Sequence, residues 1–147
     1  MVPLIALLIS FAVLRLAGFT GIAWLDNWGL PLRIALFLMF MLTASAHWGR
    51  GRADLIRMVP RAFPAPEAII TLTGVLEVLG GVGLLIPQTA HVAAVCLAIL
   101  LIAMFPANIR AARERFTIRG RTAMSVAARG AIQAIFVGSL VKVAVLQ

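Results

Sequence analysis

Apolar runs separated by short polar or proline-rich pieces recur five times along the chain. The first, Val2 to about Ile22, approaches the ~20 residues a helix needs to cross a bilayer at ~1.5 Å per residue. Ala23 to Gly29 sets Trp24 and Trp28 beside Asp26 and Asn27, a mixture of indole and polar groups suited to a headgroup interface. Leu30 to Trp48 is a second span, with Pro31 in its first turn and Arg33 close enough to the end to snorkel. Gly49 to Pro66 carries arginines and prolines around a short apolar patch, which predicts an interfacial or shallow re-entrant piece. Glu67 to Ile86 is the third span and Pro87 to His91 a tight turn. Val92 to Phe105 is the core of a fourth span ended by Pro106, and Thr122 to about Val145 is the fifth. The pattern predicts an all-α membrane protein, with the third and fourth spans as a helical hairpin.

Composition agrees with lipid as the main solvent. The chain is 63% hydrophobic and 12% charged, against roughly half and a quarter in soluble domains. A net charge of +8 would suggest nucleic acid in a soluble protein, but here the basic residues punctuate apolar runs, so nucleic acid is not an expected partner. The first run holds Arg15 and no leading basic residue, and reads as a retained helix, not a cleaved leader. Cys96 is the one cysteine, which excludes an internal disulfide, a CxxC redox pair or a thiolate metal cluster. It reads as an inert buried thiol.

Charge also predicts orientation. Nine of the thirteen basic residues fall in two loops, residues 49–66 and 107–121, and two spans separate these loops, so both lie on one face. The positive-inside rule makes that face cytoplasmic. In a plasma or inner membrane the N-terminus is then cytoplasmic and the C-terminus outside.

Glu77 is the candidate for chemistry. It lies near the middle of the third span, where an ionised, unpaired acid costs at least ~2.5 kcal/mol, so it must be protonated, paired or turned to a polar cavity. A structural hydrogen bond between helices and a ligand or proton site are both open. On the fifth span Arg129 and Gln133, four residues apart, share a face at similar depth and are the expected partners of Glu77. Thr73 and the nearby glycines favour close helix packing. His47, at the cytoplasmic end of the second span, is expected to face Asn108 or the Met58–Pro60 segment, as a cap or a proton carrier. Asn108 is expected to bond carbonyls freed by Pro106. His91 has no second ligand at metal spacing, so no metal site is expected.

Several ordered motifs resemble the DoxX-like family of small membrane proteins. They are AHW at Ala46 to Trp48, MVP at Met58 to Pro60 followed by Phe63, Pro64 and Pro66, TGVLEVLGGVGLLIP at Thr73 to Pro87, FPANI at Phe105 to Ile109, and Arg129 with Gln133. The resemblance covers about residues 30–147 and implies a four-helix membrane domain there. It leaves residues 1–29 as an extra N-terminal transmembrane helix and interfacial turn.

Members of that family are linked to quinone-dependent sulfur oxidation, to membrane oxidoreductase complexes, to quinone stress and, in animals, to receptor assembly. The resemblance therefore implies an accessory membrane protein that holds a small hydrophobic ligand, a quinone or a lipid, beside a polar set of Glu77, Arg129, Gln133, His47, Thr73 and Asn108. Two further readings are a subunit of a quinone-linked membrane oxidoreductase and an assembly factor for a client membrane protein. No cofactor motif is present, so catalysis by the chain alone is not expected. The expected partners are the bilayer, a membrane oxidoreductase or client, and further copies of the chain.

Overall fold

The computed structural model describes residues 1–118, 121–122 and 124–145. It is an all-α bundle. Helix α1 spans Val2–Phe19, α2 Gly29–Trp48, α3 Arg52–Met58, α4 Pro66–Leu85, α5 Ala90–Arg113 and α6 Val126–Val145. A 3-10 turn at Ala23–Leu25 joins α1 to α2. Between α5 and α6 Thr117–Ile118 pairs antiparallel with Arg121–Thr122. All helices except α3 are long and apolar enough to cross a membrane, five in all among the described residues. This is the architecture of a multi-pass membrane protein.

Prolines and glycines set the boundaries. Pro66 opens α4, where a missing N–H costs nothing, and the chain enters it through Ala65 in the left-handed region at φ 53°. Gly49 ends α2 in extended conformation. The fourth span does not stop at Pro106, as its sequence suggests. Helix α5 continues to Arg113, and its 24 residues make a rod ~36 Å long, exceeding the ~30 Å hydrocarbon thickness. Its last turn carries Arg110 and Arg113, charged side chains suited to a membrane interface.

Helix α2 is the hub: it packs extensively on α4 and α1 and only lightly on α6, while α5 packs on both α6 and α4. Leu36, Met39 and Phe40 of α2 meet Leu84 of α4, Leu97 of α5 and Leu140 of α6 in the core. Helix α1 adds Leu7 to that core, with Leu4 and Phe11 against its edge.

The glycines of α4 serve two neighbours. A Cβ on Gly74 would fall 2.7 Å from His47 Cβ, and one on Gly81 2.7 Å from the Met41 methyl, both on α2. On the other side, a Cβ on Gly83 would fall 2.9 Å from Ala93 Cβ of α5. Small residues replace the hydrophobic drive that lipid cannot supply between helices, by letting backbones approach.

Candidate functional site

Ile70, Gly74, Glu77, Gly81 and Leu84 are the buried residues of α4, spaced by four and three as one helix face requires. That face meets α2, where Thr43 and His47 are four residues apart and so also share a face. Glu77 is eleven residues beyond Pro66, ~16 Å along the helix axis and well inside the span.

Among the described residues, His47 and Glu77 are the buried polar or charged ones, 2% and 3% exposed. They face each other. Glu77 Oε1 lies 3.7 Å from His47 Nε2, within ion-pair reach but beyond a good hydrogen bond. Glu77 Oε2 lies 2.7 Å from the Thr43 hydroxyl. On the other edge of the imidazole, Nδ1 is 2.7 Å from the Ile70 carbonyl and 3.4 Å from Thr73 Oγ1. A carbonyl only accepts, so Nδ1 carries a hydrogen, and Nε2 is the atom that gains or loses a proton.

Thr43 gives the carboxyl the same freedom. Its hydroxyl lies 3.0 Å from the Phe40 carbonyl as well as 2.7 Å from Glu77. When Glu77 is ionised, the threonine can donate to it. When Glu77 is neutral, the acid can donate to the threonine, which then donates to Phe40. Glu77 can thus keep a hydrogen bond through Thr43 whether it is ionised or neutral, without moving a helix, whereas His47 Nε2 has Glu77 Oε1 at ion-pair distance only. An ion pair of His47 and Glu77 and a neutral pair have the same net charge, which suits a proton shared in a medium that penalises isolated charge.

Arg52 fixes the end of this seam nearest the 49–66 loop. It donates to the His47 carbonyl at 2.8 Å, to Thr71 Oγ1 at 3.0 Å and to the Glu67 carbonyl at 3.3 Å. One side chain from α3 therefore ties the end of α2 to the start of α4. Thr43 and Thr73 are only half-buried, so the seam is not sealed along that edge.

The structure separates the residues expected to partner Glu77. Arg129 donates to Asn108 Oδ1 at 2.6 Å, and Gln133 donates to the Leu101 carbonyl at 2.9 Å. Both contacts lie between α6 and α5. The acid pairs instead with α2, because α4 is flanked by α2 and α5 while α6 packs on the far side of α5. Depth along the membrane is shared by many helices, and the shared depth of Glu77 and Gln133 does not make them neighbours.

Asn108 is likewise committed to Arg129. The carbonyl help near Pro106 comes from Gln133, one residue before the Ile102 carbonyl that the proline leaves without an amide partner. His47 faces Glu77 and Ile70, not Asn108 or the Met58–Pro60 segment.

Thr43 is the residue missed in the sequence, although its spacing from His47 was a usable signal. Cys96 is exposed on the surface of α5, not buried. Its side chain points away from the core because Ala93, Ala94, Leu97 and Ala98 take the buried face. Among the described residues no three His, Cys, Asp or Glu side chains converge as a metal would require.

A family model described as "Domain of unknown function (DUF8561)" matches residues 36–144, and the chain belongs to that family. The match runs from within α2 into α6 and includes Thr43, His47, Glu77 and Arg129. Neither the curated proteins nor the solved structures yield a significant match.

Proposed function

We propose that this member of the DUF8561 family is an accessory protein of the cell or inner membrane that holds the head group of a small hydrophobic molecule at the α2–α4 seam. A quinone is the favoured ligand and a lipid the alternative. The observation that carries this reading is the buried His47–Glu77 pair, whose carboxyl Thr43 can hydrogen-bond whether it is ionised or neutral. A quinone carbonyl only accepts hydrogen bonds and takes up protons when reduced, so it needs a donor that can also exchange a proton. His47 Nε2 and the Glu77 carboxyl are such donors, and the half-buried Thr43 and Thr73 mark the edge from which a head group would approach. The resemblance of the TGVLE and FPANI segments to DoxX-like proteins points the same way.

In this reading the basic loops lie in the cytoplasm, which puts the N-terminus inside and the C-terminus outside. Electrons for any redox step come from a partner protein, since the chain's own polar groups move protons only.

Extraction tests the reading. Protein purified from its native membrane in mild detergent is expected to release roughly one quinone per chain into organic solvent, identified by absorbance and mass. Glu77→Gln and His47→Gln are expected to lose most of it while remaining folded. Absence of any enriched small molecule in the wild type would overturn the ligand reading. A stoichiometric second protein in its place would point to an assembly factor, and a redox-active one to an oxidoreductase subunit.

A further inference from the structure

A second site-like feature lies on the basic face, away from the α2–α4 seam. The end of α3, the turn after it and the last turn of α5 enclose a cleft of about 530 Å³. Its walls are of two kinds. Ile56, Val59 and Phe63 are apolar, while Arg57, Arg61 and Arg110 bring three guanidiniums against one carboxylate, Glu114.

The arginines have different roles. Arg110 holds the cleft together: it donates to the Val59 carbonyl and to Glu114, the latter at 2.9 Å. Phe116 is bracketed by the guanidiniums of Arg57, 5.2 Å from its ring centre, and Arg110, at 5.6 Å. Stacking on a ring face leaves the N–H edges of a guanidinium directed sideways, where they can bind an anion. Arg57 has Asp54 beside it at 3.7 Å, an ion pair without hydrogen-bond geometry, and its side chain is 58% exposed. Arg61 is exposed at the same opening.

We propose that this cleft binds the phosphodiester headgroup of an anionic phospholipid, with Arg57 and Arg61 as the phosphate ligands and Ile56, Val59 and Phe63 against the start of the acyl chains. Three observations converge on an amphiphile. The lining is net positive by two, from three arginines and one glutamate, which complements a phosphodiester. An apolar wall adjoins the charges, which a free phosphate would not use. The cleft also lies at the arginine-bearing end of a span-length helix, α5, where basic side chains favour the level of lipid headgroups. Neither Glu77 nor His47 takes part, so this site and the quinone site stand or fall separately.

The test uses the full chain in neutral detergent, titrated with phosphatidylglycerol or phosphatidylcholine and read by native mass spectrometry and thermal shift. Phosphatidylglycerol is expected to bind at least about tenfold more tightly than phosphatidylcholine, with R57Q/R61Q losing that preference. R50Q/R113Q, which removes two charges outside the cleft, is expected to keep it, as is E77Q. Equal binding of the two lipids, or an equal loss in R50Q/R113Q, would overturn the proposal in favour of diffuse attraction. Competition by glycerol 3-phosphate at lipid-like concentrations would overturn it in favour of a free phosphate site. Should R57Q/R61Q fail to fold, R61Q alone carries the same readings, since its exposed side chain leaves the Arg110 anchor in place.

Discussion

The Thr43 hydroxyl meets Glu77 Oε2 at 2.7 Å across the seam of α2 and α4, while Arg129 is bonded to Asn108 on another helix pair. These contacts predict which residues are energetically coupled. A double-mutant cycle of Thr43→Val with Glu77→Leu is expected to return a coupling of ~0.6 to ~1.7 kcal/mol, the range found for hydrogen bonds between membrane helices. The cycle of Arg129→Leu with Glu77→Leu should be additive within ~0.5 kcal/mol, because the two share no partner. Reversible unfolding in mixed micelles measures both. Coupling in the second cycle and none in the first would mean that Glu77 pairs with α6.

Close approach of α2 and α4 rests on Gly74. A Cβ there would lie 2.7 Å from His47 Cβ and 2.9 Å from the Trp48 ring, so Gly74→Ala must push the helices apart or tilt the imidazole off Ile70. Overpacking of this kind costs ~1 to ~3 kcal/mol. On α6, Gly138 has nothing within 4 Å of the equivalent position. Gly138→Ala is therefore expected to be neutral or to raise stability by up to ~1 kcal/mol through helix propensity. Equal effects at the two positions in a thermal melt would contradict the packing described for the seam.

The number of spans and their rough limits were legible because apolar runs of ~20 residues have few alternatives in a membrane. Glu77 was legible as a site for the same reason: an acid at that depth needs a partner. The identity of the partner was not. Sequence spacing fixes how deep Arg129 and Gln133 lie and which face they share, but which helix lies beside which depends on packing among all five. The close-packing glycines held part of the answer, since Gly74 and Gly81 share a face with Glu77 and one helix had to press against that face. The end of α5 was misjudged at Pro106 because a proline inside a membrane helix is tolerated when neighbours satisfy nearby backbone groups, as Gln133 does here.

The Arg129–Asn108 contact also separates pairing from mere placement. Among the described residues Arg129 Nε is buried without a partner, while Nη1 donates to Asn108 Oδ1 at 2.6 Å. Asn108→Leu is expected to destabilise the bundle by ~1 to ~3 kcal/mol by stranding the guanidinium. Adding Arg129→Leu should recover much of that loss, because replacing both members of a buried polar pair by apolar groups is often close to neutral. If Asn108→Leu alone behaves as wild type in chemical unfolding, the arginine has another outlet at the membrane surface.

Glu114 gives a pH dependence at the end of α5, outside the spans. Its carboxyl is held below the ordinary glutamate value of 4.5 chiefly by the hydrogen bond from Arg110 and further by the charges of Arg110 and Arg61, which outweigh the opposing effect of burial. A carboxyl with a depressed folded-state pKa contributes stability that is fully present above its unfolded value and is lost as pH falls through the folded one. The Arg110 contact should therefore persist from neutral pH down to about 4.5 and weaken only in more acid solution. Carbon-13 titration of the side-chain carboxyls, with Glu114→Gln assigning the resonance, should place its midpoint below 4.5. Arg110→Gln should move that midpoint upward, and high salt should move it part of the way because the contact is exposed to solvent. A midpoint unchanged by Arg110→Gln would show that the pair does not form in solution.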